Sequence, residues 1–357
     1  MFLSQAAKQD GKFRNPVETR IGGASMMFKL LPLYLKNKEE KFPRTPLGPF
    51  LTDARVYTTP PLTGLRVTWF GHSSMLLEMD GARILIDPVW DQRVSPSRRL
   101  GPRRFYPPTL PLEQLPVIDA VVISHDHYDH LGKATVRQLS QLSALAETQW
   151  VTPLGVGKLL RDFGVAAARV KELDWTQTAT IARGACTVTS VPARHFSGRS
   201  LFNRFETLWA SFVIKGKDHA VYYGADSGLW EGFAEIGAAY GPFDLTMLEI
   251  GASHEFWKDI HMGPDGAAHA YAALGGPARA GLLMPIHWGL FDLALHGWRQ
   301  PIKRLLEIAK GQELPLFVPE PGVPTEAAAL QSDWWQPQRS ARDKAEDRPV
   351  PRRQSVT

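Results

Sequence analysis

The sequence predicts an α/β fold, and two patterns carry that prediction. Short β-branched or aromatic runs alternate with helix-length segments through the central part of the chain. Several of those runs stop at a histidine or aspartate, and the carboxyl ends of strands are where open α/β sheets place their sites. The 357 residues suffice for one large domain or two small ones. With 44% apolar and 22% charged residues the chain is of ordinary globular type and can bury a sizeable core.

Residues 1–62 read as an N-terminal extension. Pro43, Pro46, Pro49, Pro60 and Pro61 mark its second half as an irregular connector. The start is polar and lacks the apolar core of a signal peptide. Residues 21–36 are apolar, flanked by Arg20 and Lys36 and interrupted by Pro32. That composition suits either a membrane interface or a helix packed on the domain. No stretch is long and apolar enough to span a bilayer.

The domain proper is expected over residues 63–320. Strand signals cover 65–70, 74–79 and 83–86, with Asp80-Gly81 as a hairpin turn between the last two. Gly71-His72-Ser73 separates the first two, and Asp87 ends the third. Between Arg93 and Arg104 the chain carries five arginines and no acid. This stretch is either a solvated loop or an anion-attracting rim, and its position after Asp87 favours the rim. Residues 119–123 form a buried strand that runs into Ser124-His125-Asp126-His127-Tyr128-Asp129-His130, after which a helix begins. Helices are expected near 133–145, 155–163, 265–274 and 300–309. Strands are expected at 178–182, 186–191, 209–214, 220–223, 243–250 and 280–286. Residues 321–357 form a C-terminal segment, charged and proline-containing from Arg339 on, where disorder is expected.

The histidine cluster is the strongest chemical signal. His125 and His127 point the same way while the chain is extended, and Asp129 and His130 follow once it has turned. Imidazole with carboxylate suits zinc, iron or manganese. The single cysteine, Cys186, excludes an internal disulfide and a zinc site built mainly on thiolates, and fits a reducing compartment. The cluster holds more ligands than one tetrahedral ion needs. Strands further along end in His195, Asp226 and His287. Alone, each reads as a hydrogen-bonded loop histidine or a capping aspartate. Together they supply two three-ligand sets and a carboxylate to bridge them. A net charge of +5 favours anionic partners.

The order Asp87, H-x-H-x-D-H at 125–130, His195, Asp226, His287 resembles the five-motif pattern of the metallo-β-lactamase superfamily. Residues 12–16 (KFRNP), 69–74 (WFGHSS), 101–108 (GPRRFYPP), 250–252 (IGA), 261–264 (HMGP) and 286–289 (IHWG) are similar to the branch containing N-acyl-phosphatidylethanolamine-hydrolysing phospholipase D. The resemblance implies a four-layer αββα sandwich with the site at one edge. It implies two zinc ions, iron or manganese being the other metals these ligands suit: His125, His127 and His195 on one ion, Asp129, His130 and His287 on the other, Asp226 between them. Asp87 and His72 would support the ligands from behind. Asp129, Asp226 and His261 are the expected catalytic residues, His261 touching the phosphate or assisting the leaving group.

The expected function is zinc-dependent hydrolysis of a phospholipid-type phosphodiester by a water ionised between the two ions. Expected partners are that phospholipid or another anionic phosphodiester, a peripheral membrane surface and a second copy of the chain in a homodimer. No nucleic acid is expected, and the expected location is cytoplasmic with peripheral membrane contact. Three other functions compete: a lactonase or other small-molecule hydrolase on the same fold, a nuclease, and a non-enzymatic lipid-binding protein. No second domain of the kind such nucleases carry is evident. Unused buried ligand clusters would be costly, which disfavours the last.

Overall fold

A computed structural model describes residues 2–22, 32–33, 36, 38–97, 99–200, 202–276 and 281–336. Most of the 21–36 segment, Arg98 and the tail beyond residue 336 lie outside the described residues, so the expectations for them are not addressed.

Two mixed sheets face each other. The first contains β1 (Leu65–Gly71), β2 (Ser74–Met79), β3 (Ala82–Ile86), β4 (Ala120–Val122), β5 (Gln149–Pro153) and β6 (Val170–Leu173). The second contains β7 (Thr178–Ile181), β8 (Cys186–Val191), β9 (Ser211–Lys215), β10 (Ala220–Tyr223), β11 (Leu245–Glu249) and β12 (Leu282–Ile286). A late strand, β13 (Thr325–Glu326), returns to the first sheet, whose order is β13-β1-β2-β3-β4-β5-β6. The second sheet runs β12-β11-β10-β9-β8-β7. Hairpins build one side of each sheet; β3 to β6 and β10 to β12 pair parallel. The β2–β3 turn is Asp80-Gly81 as expected, with φ of +50° and +84°, the left-handed pair a two-residue hairpin requires.

Strand alternation makes the layers. On β1, β2 and β3, Val67, Trp69, Met75, Leu77, Ile84 and Ile86 enter the core shared with Val188, Phe212 and Ile214 of the second sheet. Their alternates Phe70, Leu76 and Leu85 face the other way, against Val136 and Leu139 of α1 (Lys133–Gln141) and Leu160 of α2 (Val156–Asp162). A period of two sends successive side chains to opposite faces, so a sheet buried on both sides reads as a continuous apolar run. The second sheet's outer face carries α3 (Gly232–Tyr240), α4 (Gly263–Ala273) and α5 (Gln300–Gln312), through Phe233, Ala267, Tyr271, Ile302 and Leu305. The fold is a four-layer αββα sandwich.

Packing continues past both ends of the 63–320 span. Phe13 is buried, and Asn15 bonds to the backbone of His195 through both its donor and its acceptor. At the other end β13 pairs with β1, and Trp334 packs against Trp69, Trp288, Phe50 and Tyr106. Edge pairing and aromatic burial depend on the finished sheet, so composition did not reveal them. The basic stretch folds back on itself through an Arg93–Arg103 bridge, and Arg104 is turned inward to the Trp90 carbonyl. Burial lowers the Arg104 guanidinium to about 10. Arg104 is therefore not the exposed rim cation that the sequence suggested.

Among the described residues no helix is long and apolar enough to cross a membrane.

Candidate metal centre

The strand ends converge at one edge of the sandwich. Asp87 follows β3, the 124–130 segment follows β4, His195 follows β8, Asp226 follows β10 and His287 follows β12. His72 occupies the β1–β2 connection. Three of these residues have left-handed backbones: His72 at φ +56°, Asp87 at +38° and His287 at +63°. Such conformations cost about 1–3 kcal/mol each in non-glycine residues and cluster where surrounding structure holds a side chain in place. Gly251 has its own reason to be glycine. A Cβ there would collide with the His287 carbonyl oxygen and displace the histidine.

The ligand atoms gather in overlapping groups, each with its atoms within 4.8 Å of one another. One holds His125, His127, His195 and Asp226; another holds His72, Asp129, His130 and His287. Asp226 lies between them. Its Oδ2 is 3.8 Å from His125 Nε2, 3.7 Å from His195 Nε2 and 3.2 Å from His287 Nε2, and its Oδ1 is 3.2 Å from His130 Nε2. All seven residues expected as ligands are thus brought together. His72, expected to support the ligands, has its Nε2 3.0 Å from Asp129 Oδ2 and lies within the same 4.8 Å group as Asp129, His130 and His287.

Supporting contacts aim the rings. Asp87 is fully buried and accepts from Ser124 N at 2.7 Å, Ser124 Oγ at 2.5 Å, His130 Nδ1 at 2.6 Å and the Tyr223 hydroxyl at 2.5 Å. The His130 bond leaves Nε2 facing the centre. Ser124 Oγ, donating to Asp87, accepts from His125 Nδ1 at 2.9 Å, which turns His125 Nε2 inward too. His195 Nδ1 donates to the Ile260 carbonyl at 2.9 Å. A metal-binding histidine characteristically has its second nitrogen tied down in this way.

Electrostatics divide the imidazoles of the metal-free site into neutral and proton-holding groups. Burial, reinforced by neighbouring imidazoles, pushes His125 well below the usual range; burial likewise pushes His195 down. Burial alone would lower His130 and His287, but the Asp226 and Asp129 carboxylates overcome it. They hold His130 well above its usual range and His287 at about 10. Burial would raise Asp129 and Asp226, yet His130 and the other imidazoles hold both well below the carboxylate range.

The residues fit a metal. His130 Nε2, both ring nitrogens of His287 and Asp226 Oδ1 are buried without a hydrogen bond. Orphaned polar atoms at this density are costly unless something fills the space between them. Lone pairs from imidazole and carboxylate converging there call for a cation. The less buried side of the group is formed by His127, Asp129 and His261.

Sequence reasoning missed Glu249, the last residue of β11. It is fully buried, and its Oε2 is 2.6 Å from His261 Nδ1. The same rule that found the other strand-end groups applies to it; the apolar stretch around it, Leu245–Ile250, masked the signal.

Comparison with known proteins agrees with this geometry. A family model described as a beta-lactamase superfamily domain matches residues 82–288. An uncharacterized protein of Mycobacterium tuberculosis is 48% identical over 274 residues, spanning 76% of this chain and 72% of that protein. N-acyl-phosphatidylethanolamine-hydrolyzing phospholipase D 1 of Caenorhabditis elegans is 33% identical over 260 residues, 70% of this chain and 71% of that protein. A metallo hydrolase of the archaeon Ignicoccus hospitalis shares the fold at a TM-score of 0.55 and 22% identity, covering 73% of this chain and 97% of that one. On the matched span, the identities and the shared fold, the chain belongs to the metallo-β-lactamase superfamily of metal-dependent hydrolases, in the branch that resembles N-acyl-phosphatidylethanolamine-hydrolysing phospholipase D.

Proposed function

We propose that this hydrolase is a zinc-dependent phosphodiesterase that cleaves a phospholipid of the N-acyl-phosphatidylethanolamine type. The observation that carries the reading is a pair of ligand groups with Asp226 between them, 3.8 Å from His125 Nε2 and 3.2 Å from His130 Nε2 and His287 Nε2, in a chain 33% identical to a phospholipase D named for that substrate. His125, His127 and His195 would hold one zinc ion, Asp129, His130 and His287 a second, and Asp226 both. Bound there, the ions supply Lewis acidity toward a phosphoryl oxygen and acidify a water, which suits an anionic diester that resists hydrolysis.

The chain's own residues then have distinct tasks. Asp87 and Ser124 fix the tautomers of His130 and His125. His261, on the less buried side, meets the substrate at its phosphate or leaving oxygen. Peripheral contact with a membrane follows from a lipid substrate, and a cytoplasmic location and a homodimer complete the proposal.

A substrate panel tests it: N-acyl-phosphatidylethanolamines, simple phosphodiesters, sugar-phosphate lactones and RNA, each with and without chelator. The expected result is chelator-sensitive release of phosphatidate from the first class. Turnover of lactones or RNA alone overturns the reading.

A further inference from the structure

Glu249 stands outside the two ligand sets above but forms a third group with Asp226, His261 and His287, its ligand atoms within 4.8 Å of one another, and it is among the most fully engaged buried groups there. Its Oε1 accepts from Met262 N at 3.0 Å and Ser227 N at 3.2 Å. Its Oε2 faces His261 Nδ1 at 2.6 Å and lies 4.0 Å from His287 Nδ1. These contacts tie three places together. Ser227 follows Asp226, Met262 is the N-cap of α4, and His261 is the residue before that cap. A carboxylate at a helix N-terminus is favourably placed, and two backbone donors hold its orientation.

His261 is anchored from the other side by its backbone, whose N–H donates to the Trp257 carbonyl at 3.1 Å. Its ring centroid lies 5.1 Å from that of His195 and 5.3 Å from that of His287. With Nδ1 on Glu249, Nε2 is the ring atom left for anything entering the site. Among the described residues Glu249 is the carboxylate paired with His261, while an Asp226 carboxylate oxygen lies within 4.8 Å of a ring nitrogen.

We infer that Glu249 is the positioning residue of His261: by accepting from Nδ1–H it selects the tautomer and ring orientation that present Nε2 to the substrate. This rests on the phosphodiesterase reading for what Nε2 meets, but not for the tautomer itself. A carboxylate can only accept from the ring, whereas the carboxamide of a glutamine in the same place can donate to it and reverse the tautomer. Loss of a contact of this kind, which orients rather than reacts, typically lowers activity or metal affinity about 10–100-fold.

The test compares the wild-type protein with E249Q and E249D. The tautomer of His261 is read from ring 15N–1H correlations in histidine-labelled protein, before and after zinc loading, the resonance being assigned with H261Q. The wild type should show Nδ1–H, E249Q should show Nε2–H, and E249D should keep Nδ1–H with a weaker bond. With bis(4-nitrophenyl) phosphate and an N-acyl-phosphatidylethanolamine as substrates, E249Q should lose about 10–100-fold in kcat at nearly constant KM and unchanged zinc content, and E249D should recover part of the loss. An unchanged tautomer in E249Q, or kcat within twofold of wild type, overturns the assignment. Loss of zinc from E249Q overturns it too, since Glu249 would then serve as a ligand. If the wild type cleaves neither phosphodiester, the functional reading fails while the tautomer measurement still decides the role of Glu249.

Discussion

Replacing Asp87 should cost stability before any metal is considered, and the structure supplies the magnitude. The side chain is fully buried and takes bonds from Ser124 N, Ser124 Oγ, His130 Nδ1 and the Tyr223 hydroxyl. In D87A the Ser124 hydroxyl can rotate to His125, but three donors stay buried without an acceptor. An abandoned donor costs about 1–3 kcal/mol, so the substitution should cost roughly 3–9 kcal/mol, with the low end reached if water enters the vacated space. Domains of this kind are stable by only about 5–15 kcal/mol, so D87A threatens folding itself. D87N keeps the shape and one acceptor oxygen while its amide group confronts a donor, and about 1–3 kcal/mol is expected. Urea unfolding of the chelator-treated proteins measures both. Zinc titration of D87N should then show a further 10–100-fold weakening, on the order typical when a ligand histidine loses its supporting bond. If metal-free D87A matches wild type within 1 kcal/mol, on the order of one ordinary hydrogen bond, the role assigned to this hub is wrong.

Zinc binding to the metal-free protein near pH 7 should release protons. His287, held at about 10, and His130, held well above its usual range, carry protons that a ligand imidazole must lose. Apparent affinity should therefore rise with pH across roughly pH 6–9, and calorimetry in buffers of different ionisation heat measures the release; zero release would refute it. For the stability of the metal-free protein the sign is opposite. A raised imidazole value contributes stability that is present below about 6.5, the unfolded value, and is lost as pH rises through the folded value. Cys186 is buried and its thiol is pushed up to about 11, so it should resist Ellman's reagent near pH 8 until the protein unfolds. Rapid stoichiometric labelling of the native protein would contradict that. Ending the chain at residue 320 removes β13 and the Trp334 packing; W334A alone, at a half-buried site, should cost roughly 2 kcal/mol by thermal or urea unfolding.

The candidate metal ligands were legible because histidine and aspartate at successive strand ends have few inexpensive structural explanations when they recur in one chain. The Asp80-Gly81 hairpin was legible because its backbone demands residues that tolerate positive φ. Glu249 was not, since a carboxylate within an apolar strand reads as an exception until its partners are known. The stretch from Arg93 to Arg104 misled for the converse reason. Charge counted along a chain does not say which way a side chain turns, and Arg104 turns inward.

By itself the sequence determined the α/β class, the order of the elements, the candidate ligand residues and, through its motifs, the superfamily. These are local or repetitive properties, written in periodicity and spacing. The tertiary structure alone decided that His72 meets Asp129, that Asp226 lies between the two groups, that Glu249 meets His261 across twelve residues and that Asn15 and Trp334 close the domain from outside its expected limits. Each of those contacts joins segments that only the assembled sheets bring to one place. Their geometry is set by packing between segments far apart in the chain, and a linear pattern carries no record of it.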